Sequence, residues 1–509
     1  MQTVTIAITG ITGAMGEAVL ERFAAQKRFH LRLLLHEKKK GTAVMRRCMR
    51  NAAAKISTLT GDIRDKKVCA ALVDGADYVL HMAAVIPPLA EHKPGLAYST
   101  NYLGTKRLTD AILSAGNRAA LIDISTVAVY GNRDIRHPFG RVGDPLTVSV
   151  FDAYGLSKRR AERYVLEAGL KRFVVLRQTG VLYEAMLTKS LGDALLYHMP
   201  LNTPVEWVSA SDSARLLYRL IAADLNGEDK DIWGKVFNIG GGAAARQTGY
   251  ETFLDGFSLI GADPKKVFEP HWFATGNFHC FWFSDSDVLE EKYRFRREGT
   301  KDFWERFAKG HRLYGAGKML PASLLKRLLF EPLTKKEGAP LFWKKTKNAA
   351  RVGAHFGSFA EAGKQHADWE TFSLVCERDN YDTLRRHHRE KDLSHGYDES
   401  KKDGDLDLCD MREAAAFRGG ACLSEEMQRG DLYTKLTWRC HAGHVFTAAP
   451  YTVLKAGHWC EDCQPAGVWN MNLLAAKVPF YAQVWYDTHE KKDRRVYYGA
   501  GARVRVEEE

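Results

Sequence analysis

Short apolar runs alternate with amphipathic stretches over the first 180 residues of the chain. Six of these runs have the composition of strands: VTIAITG, HLRLLLH, KISTLTG, YVLHMAA, AALIDIST and RFVVLRQTG. Most of them are separated by a stretch long enough to form a helix. Strands that alternate with helices build a parallel sheet covered by helices on both faces. The pattern therefore predicts an α/β fold with a doubly wound parallel sheet over residues 1–180.

The pattern changes over residues 181–315 into a mixture of strands and helices. VEWVSASDSARLLYRLIAA predicts a strand followed by an amphipathic helix, and KVFNIGGG predicts a strand that ends in a glycine turn. A segment of this size after the sheet is typical of a small substrate-binding lobe. Some of its elements are expected to return to the sheet.

Three further regions are predicted after the lobe. Residues 316–415 resemble polar helices broken by Gly and Pro, and their charged stretch HREKDLSHGYDESKKDGDLD is interpreted as a linker. Residues 416–470 are rich in Cys, His, Trp and Gly and predict a small separate module. Residues 471–509 form a tail with two strand-like patches, VPFYAQVWYD and RRVYYGAGARVRV.

Composition and charge narrow the function classes. The chain has 509 residues, of which 45% are hydrophobic and 27% charged, an ordinary balance for a globular protein. It has no apolar run of about 18 residues and no recognisable signal peptide, so we expect a cytoplasmic protein without membrane contact. In that compartment the nine cysteines are expected to be free thiols or metal ligands. The net charge of +12 is dispersed along the chain, so nucleic acid is not an expected partner.

A glycine-rich loop, TGITGAMG, lies between the first strand and the first helix. Gly10 allows a tight turn, Gly13 lets the backbone approach a pyrophosphate, and Gly16 lets helix and strand pack closely. The start of the following helix offers free N–H groups to phosphates. This arrangement predicts a Rossmann-type dinucleotide-binding domain.

The TGxxGxxG spacing is similar to that of extended short-chain dehydrogenases/reductases, the group that includes NAD-dependent epimerases and dehydratases. Further segments resemble the family in the same order, namely Gly61-Asp62, the HMAA stretch from His81 to Ala84, and the NYLGT stretch that begins at Asn101. The resemblance covers about residues 1–315. It implies these cofactor-binding residues: Gly10, Thr12, Gly13, Ala14, Met15, Gly16, His36, Lys38, Asp62, Ile63, Met82, Ala83, Ala84, Asn101, Tyr154, Lys158, Gln178 and Val181.

The end of the second strand bears on the choice between NAD and NADP. An acid there binds the ribose 2′-hydroxyl of NAD, whereas basic residues accommodate the 2′-phosphate of NADP. The chain reads LLLHEKKK, which places His36 near the expected acid position and Lys38 close behind it. The basic residues favour NADP. NAD stays open, because Glu37 would suit a ribose and the lysines would suit a solvated turn.

A YxxxK pair, Tyr154 and Lys158, supplies the candidate chemistry. Residues four apart lie on one face of a helix, so the lysine ammonium is expected beside the tyrosine hydroxyl, where it would lower the hydroxyl pKa. The stretch STVAVYG, which starts at Ser125, resembles the family's SSxxVYG strand end and aligns Thr126 with the third catalytic residue. The family resemblance implies that Tyr154 exchanges a proton with the substrate oxygen, which Thr126 also hydrogen-bonds. Arg177 has two interpretations: a residue near the nicotinamide end, or a strand-end arginine paired with a carboxylate.

The substrate is less well indicated. GVLYEAML, from Gly180, lacks the glycine- and proline-rich turn common in nucleotide-sugar enzymes. Aromatic and other large residues of the lobe suggest an apolar alcohol or ketone, steroid-like or aryl, although each of them is individually at least as well explained by core packing. These residues are Tyr197, His198, Met199, Trp207, Phe278, Phe281 and Trp282.

Near the end of the chain, TWRCHAGHVF and GHWCEDC bring two ligand pairs together in sequence. The segment over residues 419–463 resembles small treble-clef zinc-ribbon modules. Four protein ligands would complete a tetrahedral structural zinc site and leave no open position for catalysis. The expected ligands are Cys440, His444, Cys460 and Cys463, with Cys422 or His458 as possible replacements for one of them.

Three functions are consistent with these features. The first is an NAD(P)-dependent oxidoreductase acting on a small-molecule alcohol or ketone. The second is a nucleotide-sugar epimerase or dehydratase with tightly bound NAD, and the third is a nucleotide-sensing regulatory protein. An intact Thr126, Tyr154 and Lys158 set argues against the third, and the missing sugar-nucleotide turn argues against the second. The family resemblance also makes a homodimer possible.

Overall fold

The computed structural model describes residues 3–36, 41–133, 137–186, 192–311, 321–365, 368–372, 392–499 and 504–506. Its strands are β1 Val4–Thr9, β2 Phe29–Leu35, β3 Lys55–Thr60, β4 Tyr78–His81, β5 Ala120–Thr126, β6 Phe139–Gly140, β7 Phe173–Gln178, β8 Gly180–Leu182, β9 Pro204–Ser209, β10 Lys235–Ile239, β11 Arg246–Thr248, β12 Trp282–Phe283, β13 Ala421–Cys422, β14 Leu436–Arg439, β15 Val445–Ala448, β16 Val468–Trp469, β17 Arg495–Tyr498 and β18 Val504–Val506.

The α-helices are α1 Ala14–Phe23, α2 Ala43–Asn51, α3 Lys66–Val73, α4 Leu89–His92, α5 Pro94–Ala97, α6 Thr105–Ser114, α7 Ala153–Glu167, α8 Ala210–Leu225, α9 Gly249–Ser258, α10 Pro264–Val267, α11 Asp287–Tyr293, α12 Thr300–Gly310, α13 Ala322–Leu325, α14 Pro340–Lys345, α15 Ala349–Phe356, α16 Phe359–Gly363, α17 Leu408–Phe417, α18 Met471–Lys477 and α19 Pro479–Trp485. None of the helices in the described ranges is long and apolar enough to span a lipid bilayer.

Seven parallel strands form the central sheet, in the order β10-β7-β5-β4-β1-β2-β3. Six of them are the apolar runs predicted over residues 1–180. The seventh, β10, is the predicted KVFNIGGG strand, which returns from the lobe to pair with β7. The predicted Rossmann-type fold is confirmed.

Alternate residues along each strand enter different cores, because successive side chains point to opposite faces of a sheet. On β5, Leu121 packs towards α3, α6 and α7, whereas Ile122 packs towards α1, α2 and α8. Both faces are therefore apolar, as a buried parallel sheet requires.

The lobe is built around a three-stranded sheet in the order β11-β9-β8. The predicted strand and helix of VEWVSASDSARLLYRLIAA are β9 and α8, and the Ser209 side chain caps the helix by accepting from the backbone N–H of Asp212. Tyr197 lies at the centre of an aromatic cluster with Phe268, Trp272 and Phe273. These rings form the core of the lobe.

One prediction for the tail is wrong. VPFYAQVWYD forms helix α19 rather than a strand, because Pro479 starts the helix and Phe480, Tyr481, Val484 and Trp485 recur on one buried helical face. The second patch does contain a strand, β17, which pairs with β16 and β18.

The charged stretch interpreted as a linker packs against the sheet domain over its described part. The buried ring of His395 lies with Nε2 3.1 Å from a carboxylate oxygen of Asp144. Arg141 donates to Glu399 at 3.0 Å and to the carbonyl oxygen of Leu393 at 2.9 Å. The residues from Leu393 onward therefore contact the sheet domain directly rather than acting as a free linker.

The Cys- and His-rich module shares one hydrophobic core with the central sheet. Trp438 and Trp459 of the module belong to the same buried cluster as Val165 of α7 and Val236 of β10. The backbone N–H of Val236 also donates to the Tyr451 hydroxyl at 2.8 Å. The module is thus packed onto the α7 face of the sheet.

A buried ion pair joins α7, the sheet and the module. Arg177 on β7 donates to both carboxylate oxygens of Glu162, at 2.5 Å and 3.1 Å, and to the carbonyl oxygen of Ala456 at 2.6 Å. Glu162 also accepts from the Ser125 hydroxyl at 2.7 Å and lies 2.9 Å from His458 Nε2. Arg177, Glu162 and His458 are all buried.

We expect Arg177→Met to lower the free energy of unfolding by about 3–5 kcal/mol, because it leaves Glu162 buried without its cation. Arg172→Met is the matched control. Its side chain is 39% exposed and pairs with Asp224, so a change of about 1 kcal/mol or less is expected. Urea unfolding of the two variants measures both values. Equal losses would contradict the assignment of the buried pair.

Candidate active site and metal centre

The three glycines of the predicted dinucleotide loop have different surroundings. Gly10 has φ +76°, and a Cβ there would lie 2.6 Å from the Ala83 nitrogen. A Cβ on Gly16 would overlap the Gly10 carbonyl group, whereas one on Gly13 would meet that oxygen at an ordinary 3.4 Å. Gly13 is exposed, and Thr12, Ala14 and Met15 beside it are partly exposed. The loop therefore forms an open cradle at the start of α1, which fits a pyrophosphate.

Hydrogen bonds hold the ends of β1 and β4 together beneath this loop. The Thr9 hydroxyl oxygen accepts from the backbone N–H groups of Met82 and Ala83, both at 3.1 Å. His81 bridges the hydroxyls of Thr9 and Thr105 at 2.8 Å each. Burial lowers the pKa of His81 to about 3, so this ring is a neutral bridge. Ala84, one residue further, is partly exposed beside the cradle.

The end of β2 places His36 beside Asp62. His36 Nε2 lies 3.3 Å from an Asp62 oxygen, and Arg64 donates to the same carboxylate at 2.6 Å. The Arg64 hydrogen bond lowers the pKa of Asp62 to about 2, against the effect of burial. The predicted cofactor residue Lys38, like Glu37, lies outside the described residues.

Four other predicted cofactor residues differ in the extent of their exposure to solvent. The Asn101 side chain is buried and bonds the backbone of Val85 on both sides, at 2.7 Å and 3.0 Å, and the Ser157 hydroxyl at 3.0 Å. It therefore supports the loop after β4 and the helix α7. Ile63 and Gln178 are mostly buried, and Val181 is partly exposed.

Thr126 and Tyr154 meet where β5 ends and α7 begins. Their side chains interact, and Tyr154 is partly exposed. Burial raises the pKa of Tyr154 to about 12, and the Thr126 hydrogen bond offsets part of that rise. Ser125 points instead to Glu162, as expected for a packed neighbour of the catalytic residue. The Asp152 side chain caps α7 by accepting from the backbone N–H of Gly155 at 2.7 Å.

Lys158 faces the sheet. Its ammonium lies 3.8 Å from a carboxylate oxygen of Asp123, and both side chains are almost fully buried. Burial raises the pKa of Asp123, and the charge of Lys158 opposes that rise. The sequence placed the ammonium beside the Tyr154 hydroxyl as the group that lowers its pKa. The structure instead gives Lys158 a buried counter-ion, which a lone YxxxK motif does not reveal.

The structure also decides between two interpretations left open by the sequence. Arg177 is the buried partner of Glu162, so it is the carboxylate-paired arginine.

The large lobe residues are mostly packed in cores: Tyr197, Phe281 and Trp282 are fully buried, and Trp207 donates from its indole N–H to Thr252 at 3.0 Å. They give little support to an apolar pocket.

Four polar residues near Tyr154 were missed by the sequence analysis. The His279 ring nitrogen lies 2.8 Å from Asp152, while Glu91 lies 3.8 Å from Arg351. Burial alone would lower the pKa of His279, but the Asp152 carboxylate outweighs it and raises that pKa. Asp152 had a readable signal, the helix cap directly before the tyrosine motif. The other three come from distant segments that form no motif.

Cys440, His444, Cys460 and Cys463 converge in the module, and their ligand atoms all lie within 4.8 Å of one another. The sulfurs of Cys440 and Cys463 are 3.5 Å apart, and His444 Nδ1 is 3.5 Å from the sulfurs of Cys460 and Cys463. A tetrahedral zinc site has ligand separations of roughly 3.5–3.8 Å, so the donor set and spacing fit that metal. The alternative ligands lie elsewhere: His458 bonds Glu162, and Cys422 is outside the group.

Residues 6–240 match the model of the NAD dependent epimerase/dehydratase family. Over these residues the chain is similar to that family. The matched segment contains the glycine loop, Thr126, Tyr154 and Lys158 and ends just after β10. The resemblance identified from the TGxxGxxG loop is therefore confirmed.

Individual relatives align over shorter segments. Rat 3 beta-hydroxysteroid dehydrogenase type 7 is 28% identical over 140 residues, which are 27% of this chain and 40% of the relative. UDP-glucose 4-epimerase of Rickettsia massiliae is 32% identical over 131 residues, 25% of this chain and 38% of the relative. The chain thus spans about two fifths of these relatives.

A solved structure, UDP-glucose 4-epimerase from Bifidobacterium longum in complex with NAD+ and UDP, has the same fold with a TM-score of 0.50 and 16% identity. That comparison covers 62% of this chain and 100% of the other.

We expect Gly13→Ala and Gly16→Ala to separate binding from stability. In Gly13→Ala the added Cβ has room within the fold, so the melting temperature should stay within a few degrees. The dinucleotide affinity should fall at least about tenfold, because the methyl group would occupy the cradle. The second should lower the melting temperature itself, because its Cβ overlaps the Gly10 carbonyl group. Thermal unfolding and nucleotide titration measure the two effects. Unchanged nucleotide affinity in Gly13→Ala would contradict the cradle.

Proposed function

We propose that the protein is an NAD(P)-dependent oxidoreductase that interconverts an alcohol and a ketone, with Thr126, Tyr154 and Lys158 as its catalytic residues. The observation that carries this proposal is that Thr126 and Tyr154 meet at the carboxyl end of the sheet, the same edge as the glycine cradle. Ligands of open α/β sheets bind at this edge. A regulatory nucleotide sensor has no need of this pair.

The chemistry follows from the protonation state of Tyr154. Its raised pKa keeps the hydroxyl protonated at neutral pH, so in the reductive direction it donates a proton to the substrate oxygen. The Thr126 hydroxyl would hydrogen-bond the same oxygen and stabilise its developing charge. A bound nicotinamide dinucleotide supplies or accepts the hydride. Lys158, which is paired with Asp123, is proposed to hydrogen-bond the ribose of the dinucleotide, the role that the family resemblance implies for it.

The residues proposed to hold the dinucleotide are those of the cradle and its surroundings: Gly10, Thr12, Gly13, Ala14, Met15, Gly16, His36, Lys38, Asp62, Ile63, Met82, Ala83, Ala84, Asn101, Gln178 and Val181, together with Tyr154 and Lys158. We favour NADP, because His36 and Arg64 place two basic groups around Asp62. NAD is the alternative, in which Asp62 and Glu37 are the relevant acids.

The substrate is a small molecule, and two classes are candidates. The similarity to a hydroxysteroid dehydrogenase supports an apolar alcohol or ketone, the class favoured by the sequence. The similarity to a UDP-glucose epimerase and the charged residues near Tyr154 support a nucleotide sugar, which would be handled by tightly held NAD. Releasing and identifying the co-purifying nucleotide separates the two: stoichiometric NAD supports epimerisation, and an empty site that prefers NADPH supports reduction.

The four-ligand cluster is proposed to hold a structural zinc ion. The module contacts one side of α7 at two places. Arg159 of the helix donates to the Gln464 carbonyl at 3.1 Å, and the Ala449 N–H of the module donates to Glu167 at 3.2 Å. A homodimer, which the family resemblance makes possible, would therefore have to use another surface than this covered side of α7.

Tyr154→Phe is expected to lower kcat by roughly 100- to 10,000-fold, because it removes the proton donor, and to change the dinucleotide affinity far less, because most of the proposed binding residues remain. Tyr164→Phe is the matched control on the same helix, since that hydroxyl bonds Lys106 and Asp110 instead. Turnover of a 3β-hydroxysteroid and of UDP-glucose, followed by cofactor absorbance and product analysis, measures the effect. Full activity of Tyr154→Phe would refute the proposal.

The pH profile gives a further check. Thr126→Val removes the hydrogen bond that lowers the Tyr154 pKa, so that pKa rises and the oxidation rate should reach half its maximum at a higher pH. Thr126→Ser keeps a hydroxyl and should leave the profile near that of the natural protein. A profile that moves to lower pH in Thr126→Val would contradict the role of this bond.

We expect one zinc ion per chain by elemental analysis of the native protein, and its loss in Cys463→Ser. Cys422→Ser is the control, because Cys422 is buried in the same module but lies outside the ligand cluster. Because the module shares a core with α7, zinc loss should also lower the melting temperature. Zinc retained at full occupancy in Cys463→Ser would exclude the proposed ligand set.

A further inference from the structure

Three polar side chains converge beside the first turn of α7, and none of them belongs to the proposed catalytic set. Glu91 comes from the short helix α4, His198 from the lobe, and Arg351 from α15. Helix α4 packs directly on α7. The three residues are more than a hundred positions apart in the sequence, so only the fold brings them together.

Glu91 has unused hydrogen-bonding capacity. One carboxylate oxygen lies 3.8 Å from an Arg351 guanidinium nitrogen, and the other lies 4.0 Å from His198 Nδ1. Both distances are too long for hydrogen bonds. Within the described residues the Glu91 carboxylate accepts no hydrogen bond, yet it is only 20% exposed. Burial raises the pKa of Glu91 to about 7, so near neutral pH this carboxyl group can donate as well as accept a hydrogen bond from a molecule that reaches it.

His198 presents an acceptor to the same space. Its Nε2 donates to the Gly338 carbonyl at 2.7 Å, and its ring packs against Trp343 with centroids 4.8 Å apart. Burial lowers the pKa of His198 to about 3, so the ring is neutral and its proton is on Nε2. The lone pair of Nδ1 therefore faces a Glu91 oxygen. When Glu91 is ionised, these two facing groups are both acceptors and call for a donor between them.

Arg351 supplies donors, and aromatic rings hold it in place. Its guanidinium carbon lies 4.4 Å from the centre of the Phe151 ring and 5.4 Å from that of Trp343. In the part of the chain that the structure describes, its guanidinium makes no hydrogen bond. A guanidinium held between rings loses little freedom when it binds a ligand.

This cluster adjoins the proposed reaction centre. Phe151, on which Arg351 rests, directly precedes the helix cap Asp152 and is three residues before Tyr154. Asp152 lies within electrostatic range of both Tyr154 and Glu91. We therefore infer that the rest of a molecule whose reacting oxygen meets Tyr154 lies on the side of Glu91.

We propose that Glu91, His198 and Arg351 form a recognition site for a second hydroxyl group of the substrate, away from the carbon that exchanges hydride. This inference rests on the proposed oxidoreductase function. A hydroxyl group is both donor and acceptor, so it can donate to Glu91 or His198 while accepting from Arg351. An apolar group here would leave the Glu91 carboxyl group and the Arg351 guanidinium without hydrogen-bond partners, and a substrate carboxylate would be repelled by Glu91 in its ionised form. The substrate class is thus a hydroxylated alcohol or ketone.

The cluster also gives a role to residues that lie outside the segment matched by the family model. Arg351 and its partner Trp343 lie about a hundred residues after the matched segment, which ends at residue 240. Selectivity for the second hydroxyl group would therefore be set partly by the C-terminal helices rather than by the family domain alone.

The test compares cyclohexanol with the 1,2-, 1,3- and 1,4-cyclohexanediols, which differ from it by one hydroxyl group. With the cofactor-loaded full chain, at least one diol should have a kcat/KM about 10- to 100-fold above that of cyclohexanol, the range of one hydrogen bond to a charged group. Glu91→Leu and Arg351→Met should abolish this preference. Glu91→Gln, which keeps an acceptor, should retain part of it, and Glu361→Leu, at a half-exposed side chain outside the cluster, is the control.

Saturation-transfer NMR of the same cofactor-loaded protein and alcohols gives a readout that does not need turnover. Diol binding that is lost in Glu91→Leu supports the site even if no alcohol is oxidised, in which case only the proposed reaction fails. Turnover without any diol preference overturns the site and leaves the reaction standing. Absence of both diol binding and turnover overturns both. Thermal unfolding of each variant confirms that its fold is intact.

Discussion

The buried pair of Arg177 and Glu162 is the interaction on which the arrangement of the molecule depends. A guanidinium and a carboxylate removed from water must satisfy nearly all their hydrogen bonds within the protein, or the fold loses several kcal/mol. Here the partners come from the sheet, from α7 and from the Cys- and His-rich module. The sheet domain alone would not supply the Ala456 carbonyl to Arg177 or the His458 ring to Glu162. The C-terminal module is therefore part of the same folding unit as the nucleotide-binding sheet.

This dependence connects the metal cluster with the reaction centre. The loop that supplies the Ala456 carbonyl and His458 continues directly into Cys460 and Cys463, so a metal ion held by the proposed ligands would also fix the loop that meets Glu162. Glu162 lies one helical turn after Lys158 on the same face of α7. At the other end of the helix, Trp469 and Tyr497 pack on Phe151, directly before the Asp152 cap. The C-terminal segments thus hold α7 at both ends and along its side.

Local patterns predicted the sheet, the glycine loop, the tyrosine motif and the grouping of the four metal ligands. Each of these is encoded within a short stretch, by alternation, spacing or a turn residue. The remaining features depend on tertiary contacts. The strand-like composition of VPFYAQVWYD gave way to a helix once its apolar residues found a buried helical face, and the charged stretch after residue 387 packs because His395 and Glu399 meet Asp144 and Arg141. Asp123 beside Lys158, and Glu91 beside Arg351, join residues that no local pattern relates.

The buried pair also has a consequence for the order of synthesis. Strand β10 completes the central sheet at Ile239, whereas Ala456 leaves the ribosome more than two hundred residues later. At 5–20 residues per second that interval is about 10–45 s. Over that time the nascent sheet carries Arg177 and Glu162 on an uncovered surface beside apolar residues that later meet Trp438 and Trp459. The nascent chain therefore cannot complete the buried pair until the Cys- and His-rich module has been synthesised. Chaperones that bind exposed apolar surface can act on the chain during this interval.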